Sequence, residues 1–262
     1  MLIPPEFSFR LTYLHNSMAN LIYNASGALE DIRPGAADVA IYAGQQVPFI
    51  SGSQLQQFAG IIYSESSFLG LARQINPANP TREMERECFA TAVTMYTYAR
   101  SKAAAFQRAN KVYGLSELLV DSGYTKGINS PKYNEYFSVG GDESKRRMST
   151  MAVIRLFMRN FWGFEDILQG LQGAQYWDGN DLFRRYRDHY RAKMGFELSN
   201  PLHGRIYQNV TVIQGAQIIS SCPAQDPKVA AKRQYTFLST MTLGGSIYFR
   251  IHPQAAAQGI TW

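Results

Sequence analysis

The clearest helical pattern in the chain begins near residue 53 and reads SQLQQFAGIIYSESSFL up to residue 69. Ser53 is followed three positions later by Gln56, which matches the capping box that begins many helices. At about 100° per residue, the apolar side chains fall on one side of the predicted helix. We expect this apolar stripe to face the core. Its members are Leu55, Phe58, Ile61, Ile62, Phe68 and Leu69.

Glu65 falls in the middle of this apolar stripe. A carboxylate in such a place is costly unless it is paired, protonated or facing a cleft. One interpretation is therefore an ordinary helix residue that is salt-bridged or half exposed. The other is a general acid whose pKa is raised by its apolar surroundings. The pattern alone leaves both open.

A second helix is predicted to begin at Asn79–Pro80, a capping residue followed by proline at the first helical position. Three glutamates lie in its first turns, where the helix dipole favours anions. Among them, Glu85 lies at the edge of the predicted buried face and is the candidate for a second catalytic carboxylate. Glu87 points aside and is held in reserve. The buried face itself consists of Cys88, Ala92, Met95, Ala99, Ala103 and Phe106.

The middle of the chain combines a polar loop with a buried helix. A short helix is predicted over residues 115–120, followed by a turn at 121–123 and a polar, aromatic loop at 124–127. The segment 144–164 begins with the basic run Lys145–Arg147 and then becomes strongly apolar. It predicts a central buried helix whose basic run forms a solvated face.

The first 52 residues carry no catalytic pattern and are expected to pack against the core. Leu14, Met18, Leu21 and Ile22 have helical spacing, whereas residues 38–42 are compatible with a short strand. Both interpretations rest on short stretches.

The pattern changes again towards the end of the chain. Asn180 or Asp181 is predicted to cap a last helix, and from Asn200 onwards β-branched and aromatic residues predominate. Leu243-Gly244-Gly245 between alternating runs is a hairpin signal. We therefore predict a helical domain over residues 1–200 and a β-rich extension over residues 201–262 packed on it.

Three stretches, IIYSESSF, ECFATAVTMYTYARS and LSELLVDSGYT, resemble the opening of lysozyme-like cell-wall hydrolases. The similarity is to spore-cortex hydrolases and lytic transglycosylases, in which one helix carries the acid glutamate and a second helix and an aromatic, hydroxyl-bearing loop follow. It covers roughly Gln54 to Asp178. The resemblance implies a mainly α, lysozyme-like fold, which the C-terminal strands would extend to the α+β class.

The resemblance also implies an activity, the cleavage of the β-1,4 bond between N-acetylmuramic acid and N-acetylglucosamine in peptidoglycan. Glu65 would protonate the leaving oxygen. In a muramidase a second carboxylate, with Glu85 as the candidate, would assist. In a lytic transglycosylase the sugar's own 6-hydroxyl attacks and one glutamate serves as both acid and base. The single-glutamate route is favoured because no second carboxylate has a clear signature.

Substrate-binding residues follow from the same resemblance. Tyr124, Lys126 and Tyr133 match the positions that line the glycan groove, and Tyr176 and Asp178 match a loop that borders the active site. Each residue also has a plainer interpretation. The first three would belong to an ordinary surface loop, and Asp178-Gly179 is a good turn.

Composition narrows the choice of partners. The chain has 262 residues, of which 45% are hydrophobic, enough for one sizeable core. Its net charge of +6 favours an anionic polymer such as peptidoglycan, nucleic acid or a membrane surface. The basic run lacks interleaved aromatics, so we expect no nucleic acid partner.

The four histidines are scattered and match no metal motif, and we expect neither metal nor cofactor. Whether Cys88 and Cys222 pair remains open.

The N-terminal residues lack the pattern of a signal peptide, and no apolar run approaches the length of a membrane span. A wall-degrading enzyme of this kind would be made in the bacterial cytoplasm and reach the periplasm of a target cell by non-classical delivery. It would resemble an antibacterial effector toxin, for example of a type VI secretion system, with a carrier and an immunity protein that blocks the groove; a phage endolysin is the other setting. The competing class is a non-enzymatic basic module that binds wall glycan or nucleic acid, in which Glu65 would be paired with a buried Arg or Lys.

Overall fold

The computed structural model describes residues 18–179, 195–197, 199, 203 and 236–259. The chain divides into two compact units that alternate along the sequence. The first unit comprises Met1–Glu65 and Ser116–Trp162, and the second comprises Ser66–Leu115 and Gly163–Trp262. Each is described by itself below.

The first unit opens with a four-stranded sheet of order β2-β1-β3-β4. Its strands are β1 (Ala19–Tyr23), β2 (Leu29–Pro34), β3 (Val39–Tyr42) and β4 (Gln45–Gln46). Alternate residues of β1 are buried, which is the period of two that a sheet with one covered face requires. The short strand predicted at residues 38–42 is confirmed. The helical interpretation of Leu14, Met18, Leu21 and Ile22 is wrong for Leu21 and Ile22, which lie in β1 and pair with β2 and β3. Leu14 lies outside the described residues.

Helix α1 (Gly52–Glu65) begins with a capping box, but it is formed by Ser51 and Gln54 rather than by the predicted Ser53 and Gln56. The Ser51 hydroxyl accepts a hydrogen bond from the Gln54 N–H, and the Gln54 side chain accepts one from the Ser51 N–H. Ser53 instead donates both its N–H and its hydroxyl to the Asp38 carboxylate. The first turn is thus anchored by its own cap and by the loop before β3.

Helix α1 ends at Glu65, four residues before the end of the predicted apolar stripe. Leu55, Phe58, Ile61 and Ile62 are buried as expected, whereas Phe68 is exposed and Leu69 begins the next helix. The predicted stripe therefore combined residues of α1 with the start of the next helix. A helical wheel assumes one continuous helix, and the break at residues 66–68 changes the direction in which the later side chains point.

Two further helices pack on α1 within the first unit, α5 (Pro131–Phe137) and α6 (Glu143–Met158). The predicted buried helix at 144–164 therefore exists but is shorter than expected. Arg159 adopts a left-handed conformation that ends α6, and Trp162 is 84% exposed. Helix α4 (Leu115–Leu118) confirms the short helix predicted to begin at residue 115.

The second unit is built around the long helix α3 (Pro80–Arg108), which Asn79 caps as predicted by accepting a hydrogen bond from the Arg82 N–H. Helices α2 (Leu69–Ile75) and α7 (Glu165–Leu171) pack on it. Its sheet has the order β5-β8-β7-β6, and α3 also packs on this sheet. The strands are β5 (Tyr176–Asp178), β6 (Phe196–Glu197), β7 (Phe237–Leu243) and β8 (Ser246–Ile251), with the short helix α8 (Pro253–Ala257) after them.

The predicted hairpin at Leu243-Gly244-Gly245 is confirmed, because it joins the antiparallel strands β7 and β8. The last helix expected after residue 180 and the strands expected at residues 204–220 lie outside the described residues. The sheet takes strands from both sides of residue 200, and the boundary predicted there stays a prediction.

Eight helices and two four-stranded sheets among the described residues place the protein in the α+β class. None of the helices within the described ranges is long and apolar enough to cross a membrane.

Buried tyrosines should make the first unit sensitive to alkali. Burial raises the pKa values of Tyr23 and Tyr63 above the ordinary value and that of Tyr136 to about 12. An unfolded chain releases tyrosine protons near pH 10, whereas the folded chain keeps them. The unfolded state then binds fewer protons, so the free energy of unfolding should fall as the pH rises from about 10 to about 12.

Urea unfolding at several values between pH 8 and pH 11, followed by near-ultraviolet circular dichroism, would measure this slope. Tyr136→Phe should flatten it and cost about 1 kcal/mol at neutral pH, because the Tyr136 hydroxyl is hydrogen-bonded to Thr150 Oγ1 at 2.8 Å. Tyr42→Phe, which removes a half-exposed tyrosine of the same unit, is the control. Equal slopes in both variants would contradict the prediction.

Candidate functional site

Glu65 is the last residue of α1 and the one charged residue in that helix. Its side chain is half buried, and its Oε1 accepts a hydrogen bond of 2.5 Å from the backbone N–H of Gly127. A backbone donor is held by the fold rather than by a flexible side chain. The contact therefore fixes where the carboxylate lies relative to the loop that carries Gly127.

Gly127 is needed because the loop approaches α1 so closely. A Cβ at this position would overlap the Ser64 hydroxyl and lie 2.8 Å from Glu65 Oε1. The Ser64 hydroxyl itself donates to the Ile61 carbonyl at 2.8 Å, which holds it against its own helix. Any side chain at residue 127 would have to push the loop away from Glu65.

The loop is organised around Asp121 and a fully buried Thr125. The N–H groups of Tyr124 and Thr125 both donate to the Asp121 carbonyl at 3.0 Å, and the Tyr124 N–H lies 3.1 Å from Asp121 Oδ1. Tyr124 is half buried, whereas Lys126 is exposed. The structure thus places the two predicted groove residues Tyr124 and Lys126 on the loop that contacts Glu65.

Tyr133 lies on α5 and packs on the same helix as Glu65, at Gly60. Its ring is 5.1 Å from that of Phe137, and burial raises the pKa of its phenol above the ordinary value. Tyr133 therefore belongs to the first unit together with Glu65, Tyr124 and Lys126.

The prediction that Lys145 lies on a solvated face is wrong. Lys145 is only 5% exposed, and its Nζ lies 4.9 Å from the centre of the Tyr63 ring. The error has a physical reason, since Lys145 shares the buried face of α6 with Met148 and Ala152, at helical spacing. Arg147, two residues on, is exposed as expected.

The second unit contains the other candidate carboxylate, Glu85. Its Oε2 pairs with Arg82 Nη1 at 3.0 Å, and its side chain is 39% exposed. Arg82 also donates to the Gly163 carbonyl at 2.6 Å and stacks on Phe164. These contacts give Glu85 a role in holding the start of α3, and its catalytic role stays a prediction.

Glu87, expected to point aside, is fully buried. Glu87 is therefore more buried than Glu85, the opposite of the prediction, because the buried face of α3 is rotated towards Glu87 at this end of the helix. The Glu87 carboxylate accepts hydrogen bonds from the Ser67 N–H and hydroxyl and from the Ser246 hydroxyl, at 2.7–3.1 Å. Three donors from two distant segments replace the water that a buried carboxylate loses.

Tyr176 and Asp178 lie on β5 in the second unit, which pairs with β8. Tyr176 is buried, and its ring contacts those of Tyr98 and Phe237 at 5.8 and 5.3 Å. Asp178 is half buried, lies in register with Ile247 and is the last residue of β5. The turn expected to begin at Asp178-Gly179 continues outside the described residues and stays a prediction. These two predicted site residues belong to a different unit from Glu65.

The described residues contain no group of three His, Cys, Asp or Glu side chains that could hold a metal ion. Cys88 is buried, and its Sγ lies 3.6 Å from Ser66 Oγ. Its possible partner Cys222 lies outside the described residues.

No protein-family model, no curated protein and no solved structure matches this chain.

The Glu87 network predicts an unusual sensitivity at Gly244. Gly244 and Gly173 both have positive φ, +54° and +77°, but a Cβ at Gly244 would overlap the Glu87 carboxylate, whereas one at Gly173 would meet nothing within 4 Å. Alanine at either position carries the cost of the left-handed conformation. Gly244→Ala should therefore cost about 1–3 kcal/mol more than Gly173→Ala in urea unfolding. Equal losses would show that the carboxylate does not pack against the hairpin turn.

Proposed function

We propose that the protein is a peptidoglycan-degrading glycosidase that cleaves the bond between N-acetylmuramic acid and N-acetylglucosamine, with Glu65 as its acid. One observation carries the proposal. The carboxylate of Glu65 ends a helix that has no other charge, and a backbone N–H of an adjacent polar, aromatic loop holds it at 2.5 Å.

This geometry suits general acid catalysis. A general acid must come within hydrogen-bond reach of the oxygen it protonates, so its orientation matters before its acidity does. The Gly127 N–H orients the Glu65 carboxyl group without adding a charged partner. Tyr124 and Lys126, on the same loop, would supply an aromatic face and a positive charge for a glycan strand. Tyr133 would extend this surface along α1.

The single-glutamate route of a lytic transglycosylase remains the favoured mechanism. In that route Glu65 donates a proton to the leaving oxygen and then, as a carboxylate, accepts the proton of the attacking 6-hydroxyl. The muramidase route requires a second carboxylate. Glu85 is the candidate, although its ion pair with Arg82 already accounts for its position.

The biological setting is part of the proposal. A chain with a net charge of +6 suits an anionic cell-wall polymer. The favoured setting is an antibacterial effector that reaches the target periplasm through a secretion machine. An immunity protein would then have to cover the Glu65 loop, and a lysozyme-like fold would relate the enzyme to other wall hydrolases.

Glu65→Gln should abolish the release of muropeptides from purified peptidoglycan. The amide oxygen can still accept the Gly127 hydrogen bond, but the proton is gone, and loss of a general acid costs about a hundred- to ten-thousand-fold in rate. Product masses decide the route, since anhydro-muropeptides indicate a transglycosylase and reducing ends indicate a muramidase. Glu135→Gln, which neutralises an exposed carboxylate of the same unit, is the control.

Two results would contradict the proposed function. One is a Glu65→Gln variant within a few-fold of the wild-type rate. The other is a folded wild-type protein that releases no muropeptides, which would favour the glycan-binding module instead.

Gly127→Ala should lower the same activity by at least about tenfold while the chain remains folded. The added methyl overlaps Ser64 and displaces the loop from Glu65, and misplacement by about 1 Å can cost about a hundredfold. Gly140→Ala, where a Cβ would meet nothing within 4 Å, is the matched control. Full activity in Gly127→Ala would show that the loop does not position the acid.

A further inference from the structure

Lys145 is in an electrostatically unfavourable place for a cation. It is 5% exposed, and burial of a charge is costly without a partner of opposite sign. It is also the third residue of α6, where its backbone N–H is capped by Asp142. The first turn of a helix carries partial positive charge and disfavours cations. Two unfavourable effects together call for a strong compensating interaction.

The position of the ammonium group indicates where that compensation lies. Lys145 Nζ is 4.9 Å from the ring centre of Tyr63, in the last turn of α1, and α1 and α6 pack against each other. The C-terminal end of a helix carries partial negative charge. Two residues after Tyr63, the same turn ends in Glu65, the one charged residue of α1.

The two carboxylates at the start of α6, the capping residue Asp142 and Glu143, have other partners. Asp142 accepts the Lys145 backbone N–H at its cap, at 3.0 Å. Glu143 is half exposed and pairs with both Arg146 and Arg147.

The remaining elements around α1 offer few alternatives. Asp38 binds Ser53 at the opposite end of α1, and Glu135 on α5 is exposed. The loop that carries Gly127 has one carboxylate, Asp121, whose Oδ1 accepts a hydrogen bond from the Tyr124 N–H. Glu117 lies on α4, which contacts the start of α1 through Ser116 and Gln54. The other titratable groups on these elements and on α6 are phenols or cations, namely Tyr23, Tyr42, Tyr63, Tyr124, Tyr133, Tyr136, Lys126, Lys132, Arg146, Arg147 and Arg155.

We infer that the Lys145 ammonium group is the counter-charge of the Glu65 carboxylate and acts as a positioning residue for it. The Gly127 N–H fixes one side of the carboxylate, and the ammonium group stabilises its ionised form from the buried side. A Glu65 paired with a buried lysine is also what the binding-module alternative predicts, so the catalytic consequence rests on the proposed function. With Lys145 present, Glu65 releases its proton readily to the leaving oxygen and remains a stabilised carboxylate that can then accept the proton of the attacking hydroxyl.

The first test is independent of any activity. The titration of the Glu65 carboxyl carbon, followed by ¹³C NMR in the full chain, should move upwards by about one pH unit or more in Lys145→Met, because an adjacent cation favours the ionised form. Lys145→Arg should restore the wild-type midpoint. Lys132→Met removes an exposed cation of the same unit and should leave the Glu65 midpoint unchanged. An unchanged midpoint in a folded Lys145→Met variant would overturn the inference.

A reciprocal measurement covers the case in which Lys145→Met does not fold. Glu65→Gln should lower the titration midpoint of the Lys145 ammonium group, followed by ¹⁵N NMR, because the buried cation loses its counter-charge. Asp121→Asn should lower it less. A larger effect from Asp121→Asn would assign the counter-charge to the loop and overturn the inference.

Activity supplies the last readout. A reaction that needs protonated Glu65 should keep its kcat/KM to higher pH in Lys145→Met, so the alkaline limb of the profile should move upwards with the NMR midpoint. The two failures are distinguishable. Coupled titrations without muropeptide release would remove the proposed function alone, whereas muropeptide release with an unmoved alkaline limb and uncoupled titrations would remove this inference alone.

Discussion

Burial of charged side chains is the constraint on which both units depend. A carboxylate or ammonium group taken from water must recover its lost interactions inside the fold, and this requirement fixes segments that are distant in sequence. In the second unit Glu87 gathers Ser67 and Ser246 from either side of α3. In the first unit Glu65 draws the Gly127 loop onto α1. The same requirement thus positions a structural carboxylate in one unit and the candidate acid in the other.

These two carboxylates differ in a way that bears on function. Glu87 is fully buried and accepts three hydrogen bonds from the protein, so it is suited to holding a helix against a hairpin. Glu65 is half buried at the end of its helix, where a substrate could reach it. Partial exposure together with a rigid backbone donor is what distinguishes a candidate catalytic group from a structural one here.

Sequence patterns predicted the elements well where one periodicity ran uninterrupted. The Asn79–Pro80 start of α3 and the hairpin at Gly244 follow from local chemistry, and both are confirmed. The predictions were wrong where a short stretch fitted a helical spacing without forming one continuous helix. Leu21 and Ile22 fit a helical spacing by chance, and a wheel drawn through residue 65 joined two helices. The depth of Glu87 and Lys145 depends on the rotation of each helix against its neighbours, which no local pattern encodes.

The alternation of the two units along the chain has a consequence for synthesis. The first unit is interrupted by residues 66–115, and the second resumes only at Gly163. Neither unit can therefore complete its contacts while the ribosome has made only its first segment. The β7–β8 hairpin, which the Glu87 network requires, emerges about 160 residues after α3 begins. Contacts of such sequence separation fold slowly because long loops must close first. During translation the apolar faces of α1 and α3 would stay exposed until the later segments are synthesised. Chaperones would then be needed to protect the nascent chain, and contiguous fragments of it would be poorly suited to expression.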